Sequence, residues 1–441
     1  MKNFKLYMIA CLLAVLGLAG CQKQEFTPPP IGEKVPYQDT LNTTWRQALA
    51  QSDAKLFYQA WQRSHMDSLI RTLNTTGQAK FTVLALSDAA LQAGGYDAAK
   101  IQSMPVRDLD TLLTYYTLRE RITPATLAAT NENYIAYSLL TRAPLKVTST
   151  TTLNTGATFV PYVYKQYLQL KNGKTYVNGK VAGSGKSATA KDGCIFFLDN
   201  MVFKPTKNIL QIIQTDPRFS MFLAILTYSD QLANDTITKV GRVMNNRAVP
   251  FDKEFSWTPK STQNYVYFTT AFLPTNDAFI AAGFNTLDDL KKFARRGKPT
   301  IVTGTGNNKT LYGFYAIDSL LTYHCYWGMR LYNTGAIFPG SPYTSVYGDY
   351  NAPVMYSNIL DNSIVQNYVI INSLAYPPAT GPNYTYYVPF DFSRNASGNI
   401  QMRVKGSEAT PATITEADIY TLMGPIHAVD HLLIPKGFKI R

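Results

Sequence analysis

Apolar residues recur at helical spacing near the start of each half of the chain. They are Leu56, Ala60 and Trp61 in the first half, and Phe219, Phe222 and Leu223 in the second. This spacing predicts an amphipathic helical region that buries one stripe of side chains. The two halves therefore begin with the same kind of element.

An apolar strand is predicted after each helical region, over 81–84 and again over 266–273. Each strand is followed by a short polar pair that predicts the cap of another helix, Ser87-Asp88 or Asn276-Asp277. Strand patterns dominate the rest of each half, and the dipeptide Asn178-Gly179 predicts a tight hairpin turn. Helices in front of strands predict an α+β fold.

Four blocks of sequence recur in the same order, which indicates an internal repeat. Segments 52–69, 83–91, 110–116 and 193–199 match segments 215–232, 272–280, 318–324 and 424–430. The offset between matching blocks rises from 163 residues to 189, 208 and 231. The chain is therefore a duplicated domain whose second copy has gained about 68 residues between shared elements.

Three segments of the second copy carry a family resemblance: 271–280 with Pro-Thr-Asn-Asp-Ala-Phe, 320–324 with Leu-Leu-Thr-Tyr-His, and 424–435 with Gly-Pro-Ile-His-Ala-Val-Asp. Together they resemble fasciclin-like domains. In the degenerate first copy, Tyr116 and Phe196 replace the two histidines of this pattern. The resemblance implies two wedge-shaped β-sandwich domains with helices packed on one side, in a family known for adhesion and extracellular binding. It also implies that His324 and His427 are hydrogen-bonded core residues.

The first twenty residues resemble the signal of a bacterial lipoprotein. Lys2 and Lys5 precede an uncharged apolar run from Leu6 to Leu18, and Ala19-Gly20 stands before Cys21. This resemblance implies that Cys21 is lipidated and starts the mature chain, anchored in the outer membrane. The tract 22–25 is weakly similar to those that direct lipoproteins to the cell surface.

We therefore expect four segments: a signal peptide over 1–20, a lipidated tether over 21–40, a degenerate fasciclin-like domain over 41–205, and a second domain with loop insertions over 206–441. The second domain is expected to begin with a helix near Ile209, after a final strand of the first domain that ends at Pro205. No stretch after the signal is long and apolar enough to predict a membrane span.

The formal net charge is +13, and its densest cluster is Lys291, Lys292, Arg295, Arg296 and Lys298. In a chain anchored outside the cytoplasm this predicts a solvated face or a mild attraction to anionic surface polymer, with no nucleic-acid partner. Cys194 and Cys325 are predicted to be buried thiols in different domains.

No catalytic group, metal or cofactor is predicted. His427 and His431 in one strand would lie about 13 Å apart, which is too far for one metal ion. Gly183–Ser187 ends like a phosphate-binding loop but lacks its first glycine, because position 180 is a lysine, so a solvated turn is expected. The sequence contains no Gly-x-Ser-x-Gly motif, and four histidines offer few bases for a catalytic triad.

Tyrosine is frequent in the part of the second copy that has grown most, over about 330–420. A tyrosine offers a flat apolar ring with a polar tip, which suits both sugar stacking and protein interfaces. Two alternatives remain open: these tyrosines pack on the sheet, or they form a binding surface. The candidates for binding are Tyr343, Tyr347, Tyr350, Tyr376, Tyr384, Tyr386 and Tyr387.

The sequence thus predicts a non-catalytic surface lipoprotein that acts in adhesion or in extracellular protein or glycan interactions. Its expected partners are the membrane, through the lipid, and an extracellular glycan or protein. The alternative is an accessory lipoprotein that captures a glycan or peptide nutrient for an outer-membrane transporter complex.

Overall fold

The computed structural model describes residues 42–152, 156–240, 258–260, 263–266, 268–303, 309–312, 315–325, 354–366, 368–372 and 384–440. Within it, Thr43–Arg441 forms one compact unit that includes both repeats. Helices and strands both contribute, with a ten-stranded mixed sheet and a five-stranded sheet, so the α+β prediction is confirmed at this level. Among the described helices, none is both long and apolar enough to cross a membrane.

The first repeat begins with helices, as the apolar spacing predicts. Thr44 and Gln47 form a capping box at the start of the first helix, which satisfies backbone N–H groups that have no helical partner. The helices of this repeat are α1 (Trp45–Gln51), α2 (Lys55–Arg63), α3 (Met66–Leu73), α4 (Asp88–Ala93), α5 (Ala98–Ser103), α6 (Val106–Tyr115) and α7 (Pro124–Ala128).

The strands of the first repeat are β1 (Phe81–Leu86), β2 (Thr117–Leu118), β3 (Tyr134–Thr152), β4 (Gly156–Lys171), β5 (Lys174–Val177), β6 (Lys180–Gly183), β7 (Ser187–Ala190) and β8 (Gly193–Leu198). They form one sheet in the order β6-β5-β4-β3-β2-β1-β8-β7. The predicted Asn178-Gly179 turn joins β5 to β6, with both residues at positive φ. The final strand ends at Leu198, so the prediction that it reaches Pro205 is wrong.

The second repeat starts at Ile209, as predicted, where Asn208 and Gln211 form another capping box. Its helices are α8 (Ile209–Thr215), α9 (Ser220–Val240), α10 (Asn276–Ala281), α11 (Leu287–Ala294), α12 (Ala316–Cys325) and α13 (Asn362–Val365), with 3₁₀ turns at Pro217–Phe219 and Ser357–Ile359.

The strands of the second repeat are β9 (Thr258–Lys260), β10 (Gln263–Tyr265), β11 (Ala271–Pro274), β12 (Thr300–Thr303), β13 (Lys309–Tyr312), β14 (Val369–Asn372), β15 (Tyr384–Tyr387), β16 (Phe390–Arg394), β17 (Ile400–Val404), β18 (Ala412–Tyr420) and β19 (Pro425–Val429). Strands β11-β19-β18-β17-β16 form the five-stranded sheet. Strand β10 instead pairs in parallel with β3 and carries β9, so the second repeat extends the sheet of the first.

Strand β1 pairs in parallel with β8 in the first repeat, and β11 pairs in parallel with β19 in the second, which confirms that the repeat is structural. Val83 pairs with Ile195 and Leu84 with Phe196 in the first repeat. Phe272 pairs with His427 in the second, as part of the β11–β19 ladder. Ser87 N–H donates to Leu198 O and Thr275 N–H donates to Val429 O, which makes Ser87 and Thr275 counterparts.

The structure corrects two of the sequence offsets. The counterpart of Ser87 is Thr275, which gives an offset of 188 for this block instead of 189. Asp88 accepts a hydrogen bond from Leu56 N–H, as Asn276 does from Met221 N–H, which gives 165 for the first block instead of 163. Asn276 therefore holds the start of α9 and is not the helix cap that the sequence predicted.

One continuous apolar core runs through both repeats. The buried stripe of α2 is Leu56, Phe57, Ala60 and Trp61, and that of α9 includes Phe222, Ile225 and Leu226. Leu223, which the periodicity assigned to the stripe, is only partly buried. The largest fully buried side chains are Trp61, Tyr116, Phe57, Phe196, Phe219, Phe222, Phe272, Phe279 and Phe390.

Candidate functional site

His324, at the end of α12, lies in the core of the second repeat. Its Nδ1–H donates to Phe272 O at 2.7 Å, and its Nε2 accepts from Leu433 N–H at 3.1 Å. Burial lowers its pKa to about 4, so the ring is neutral near pH 7. Both nitrogens are engaged by the backbone, which leaves no lone pair for a metal or a substrate.

Tyr116 is the counterpart of His324 in the first repeat. Its hydroxyl donates to Val202 O at 2.7 Å and accepts from Val202 N–H at 2.9 Å. Val202 stands where Leu433 stands in the second repeat, at the offset of 231 that the sequence predicts. A phenol and an imidazole therefore satisfy the same backbone N–H in the two repeats.

The second histidine of the pattern is also buried. His427 Nε2–H donates to Met355 O at 2.9 Å, its Nδ1 accepts from Asp418 N–H at 3.4 Å, and its ring stacks on Phe272 at 5.3 Å. Burial lowers its pKa. The expectation that both histidines are hydrogen-bonded core residues is confirmed, and Phe196 occupies the counterpart position without a polar group.

His431 lies beyond the end of β19, half-buried, with its Nδ1 2.8 Å from Asp430 Oδ1. The single strand assumed for His427 and His431 is thus wrong, because β19 ends at Val429. Among the described residues, no group of three or more histidine, cysteine or acidic side chains is placed to hold a metal ion.

Tyrosines gather where the two repeats meet. Tyr162 stacks on Phe268 with ring centroids 5.8 Å apart, and its hydroxyl donates to Leu422 O at 3.0 Å. Tyr167 contacts Tyr356 at 5.0 Å. Tyr115 and Tyr164 extend this cluster. Burial raises the pKa of Tyr115, Tyr162, Tyr164 and Tyr167, so they stay neutral and act as packing groups.

Polar contacts also cross the junction between the repeats. Asn358 Nδ2 donates to Asn133 Oδ1 at 2.6 Å and to Gln169 Oε1 at 2.9 Å. Gly179 has φ of 85° and approaches Asp418 so closely that a Cβ atom would lie 2.4 Å from its carboxylate. The hairpin turn therefore needs glycine both for its backbone conformation and for this close approach.

Three of the seven tyrosines predicted to bind lie within the described residues. Tyr343, Tyr347, Tyr350 and Tyr376 lie outside them, as does Cys21. Tyr384, Tyr386 and Tyr387 lie on β15, which pairs with β14.

Two neighbours in the same Tyr-rich region pack against the first repeat. Tyr356 is buried, and the half-buried Tyr368 donates to Glu132 Oε2 at 3.1 Å. The packing alternative is therefore correct for these two tyrosines.

Three other sequence features have structural roles. Residues 184–186 form the turn between β6 and β7, where Ser184 N–H donates to Asp199 Oδ2 at 2.9 Å, so no phosphate loop is formed. The basic cluster at the end of α11 is mostly exposed. Cys194 is a buried free thiol whose pKa is raised by burial, as predicted.

The first-repeat tyrosines at the junction were not predicted from the sequence. Tyr162 and Tyr164 stand two residues apart on β4, so both point to one face of the strand. This spacing could have predicted that the two tyrosines share one face of the strand, but not which residues they contact.

No protein-family model matches this chain, and no curated protein matches it. A solved structure described as a FAS1 domain pair from the insect cell adhesion molecule fasciclin I aligns over 87% of this chain and 97% of its own length. The aligned residues are 12% identical and the TM-score is 0.26. This similarity is too low to assign a function to the chain.

Proposed function

We propose that this protein is a non-catalytic, lipid-anchored surface protein with two fasciclin-like repeats, acting in adhesion or in extracellular protein or glycan binding. The supporting observation is the equivalence of the repeats. The second repeat keeps the parallel β11–β19 pair and the helix before it, and its added residues fall between those shared elements. Growth between the elements of a rigid scaffold is where binding function commonly arises.

The polar groups at the centre of the repeats support a non-catalytic role. His324 and His427 are buried and fully hydrogen bonded, and the tyrosines of the junction are packing groups. The proposal therefore places binding in the two Tyr-containing segments 341–351 and 374–382, where several aromatic rings together would give useful affinity.

A replacement experiment tests this location. Segments 341–351 and 374–382 are each replaced by glycine-serine sequences of equal length, while Met355, Ile359 and Phe390 are kept because they lie in the core. Binding to glycan and matrix-protein arrays should be lost, and the protein should still melt cooperatively. The matched control replaces 244–252, which contains no tyrosine. Binding that survives both replacements would contradict the proposal.

A labelling experiment tests the anchor. Cells that make the wild-type protein should incorporate labelled palmitate into it, and Cys21→Ser should abolish the label. Protease treatment of intact cells should digest the body of the protein if it faces outward. Label retained by Cys21→Ser would exclude lipidation at this residue, and a body protected from protease would place the protein on the periplasmic side.

A further inference from the structure

The first repeat contains a cleft of about 560 Å³ beside α6. Apolar and aromatic side chains form most of its wall, including Tyr96, Met104, Leu112 and Phe203. Phe203 is 59% exposed, which is unusual for a phenylalanine in a chain with so large a core. The volume lies in the range of sites that bind small molecules or side chains.

The residues that form this wall have counterparts in the second repeat. Asp97 caps α5 as Thr286 caps α11, so the two helices correspond at an offset of 189 residues. Met104 therefore corresponds to Phe293. Phe203 follows Val202 as Ile434 follows Leu433, so these two residues correspond as well.

In the second repeat, this wall is covered by the chain's own tail. After Pro435 the chain turns back through Gly437 at positive φ, and the Phe438 ring packs edge-to-face on Phe293 with centroids 6.0 Å apart. Arg296 Nη1 donates to Ile440 O at 2.8 Å, which holds the tail in place. Ile434 is half-buried there, whereas its counterpart Phe203 is exposed.

In the first repeat, no tail returns. The chain after Lys204 continues instead to α8, and Lys207 O accepts a hydrogen bond from Leu422 N–H of the second repeat. The wall that Phe438 covers in one repeat is thus left as an open cleft in the other.

The charges at the cleft differ from those of the tail. Lys100 and Lys204 line it together with one carboxylate, Asp108. Burial and the nearby Arg142 lower the pKa of Lys204. With two lysines and one carboxylate, the cleft is positive overall. The tail of the second repeat carries Lys436 and Lys439, so a second copy of this tail would be repelled.

We propose that the cleft of the first repeat binds an extended peptide segment of a partner protein. An aromatic side chain of that segment lies against Met104 and Phe203, where Phe438 lies in the second repeat, and a neighbouring carboxylate pairs with Lys204. All residues that line this site belong to the first repeat, so the inference does not rest on binding by the Tyr-containing segments of the second repeat.

The probe is a fluorescent peptide, Pro-Glu-Gly-Phe-Glu-Ile-Glu, which is the 435–441 tail with its basic residues exchanged for glutamate. Anisotropy with the full chain should show binding at least about tenfold tighter than that of the unchanged basic tail peptide. Exchange of the peptide's phenylalanine for alanine should weaken binding by about tenfold.

Two cleft variants and two matched controls complete the test. Phe203→Ala and Lys204→Glu should each weaken binding of the acidic peptide about tenfold, with Val181→Ala and Lys174→Glu unchanged. Lys204→Glu should also bind the basic peptide more tightly than the wild type does, which a misfolded variant could not do. Absence of binding, equal binding of the acidic and basic peptides, or unchanged binding by both cleft variants would overturn the proposal.

Discussion

Tyr116 in the first repeat and His324 in the second contact the same backbone position with different chemistry. The phenol uses one oxygen to donate to and accept from Val202. The imidazole joins two distant segments, because it donates to Phe272 and accepts from Leu433. The second repeat thereby gains a side-chain link between these segments and a group that titrates below neutral pH. In the first repeat, Tyr116 joins the counterpart segments in another way, because its backbone O accepts from Leu84 N–H while its neutral phenol bonds Val202.

The position of His427 also carries a side chain in the second repeat that makes more polar contacts than its counterpart in the first. His427 links Met355 and Asp418 in the second repeat, whereas Phe196 fills the counterpart position with apolar volume alone. The comparison teaches that one fold tolerates either a polar or an apolar centre, provided that every buried backbone group has a partner. Substitutions at these positions and at the junction between the repeats test this difference.

Replacement of His427 by alanine should lower the free energy of unfolding by about 3–5 kcal/mol, because it leaves a cavity and unpairs Met355 O and Asp418 N–H. His427→Phe copies the first repeat and keeps the volume, so its cost should be only about 1–3 kcal/mol. Denaturant unfolding measures both. Equal losses would show that the hydrogen bonds of His427 account for the whole effect and that the lost volume contributes nothing.

The stability should fall with acid through His324. Its pKa is about 4 in the folded chain and about 6.5 in the unfolded chain, so the unfolded state binds more protons between these values. The contribution is complete above about pH 6.5 and is lost as the pH falls towards 4, with a total of roughly 3 kcal/mol.

The control for this pH dependence is His324→Phe, which is destabilised at pH 7 but should lose less further stability on acidification. Both proteins retain His427, so the difference between their pH profiles isolates His324. Unfolding curves at pH 7, 5.5 and 4.5 measure it, and identical slopes for the two proteins would contradict the assignment.

Tyr116→Phe should cost about 1–3 kcal/mol, because the buried Val202 N–H and C=O both lose their partner. Tyr58→Phe is the matched control. The Tyr58 side chain is half-buried, and its hydroxyl accepts a long hydrogen bond of 3.5 Å from Arg46. That variant should change stability by less than about 0.5 kcal/mol. If Tyr116→Phe is as stable as the control, the two hydrogen bonds of the Tyr116 hydroxyl do not contribute to the free energy of unfolding.

Tyr162→Phe should have the smallest effect, about 1 kcal/mol, because it removes one hydrogen bond to Leu422 O and keeps the stacking on Phe268. Tyr162→Ala should cost several times more. Thermal unfolding of both variants shows whether the aromatic contact or the hydrogen bond holds the repeats together. If Tyr162→Phe lowers the melting temperature more than Tyr162→Ala does, the aromatic contact is not the main stabilising interaction at this position.

The repeat and its order could be predicted from the sequence, because they depend on local patterns of apolar and polar residues. The burial of both histidines was implied by the family resemblance. The offsets of the first two blocks were wrong because the match aligned polar pairs, such as Ser87-Asp88 with Asn276-Asp277. In the structure Thr275 is the helix cap, although its hydroxyl makes no capping hydrogen bond, and Asn276 accepts a hydrogen bond from α9.

The junction between the repeats could not be predicted. Tyr162 and its acceptor Leu422 are separated by 260 residues, and nothing in the local pattern of either segment names the other. The open cleft was missed for a similar reason. It arises because one repeat ends in a returning tail and the other continues into a helix, which only the three-dimensional comparison of Phe203 with Ile434 shows.

The parallel pairing of β1 with β8 and of β11 with β19 also constrains the order of events during folding. Phe81 must wait for Gly193, and Ala271 must wait for Ile426, before either central ladder can close. Such long-range pairing slows folding, because the entropy of loop closure is lost before the contacts form. All six residues of β1 are buried in the final structure. Until β8 is available, more than a hundred residues later, this apolar strand lacks its parallel partner and is prone to aggregation. Neither central ladder can therefore close before the last strand of its repeat is available.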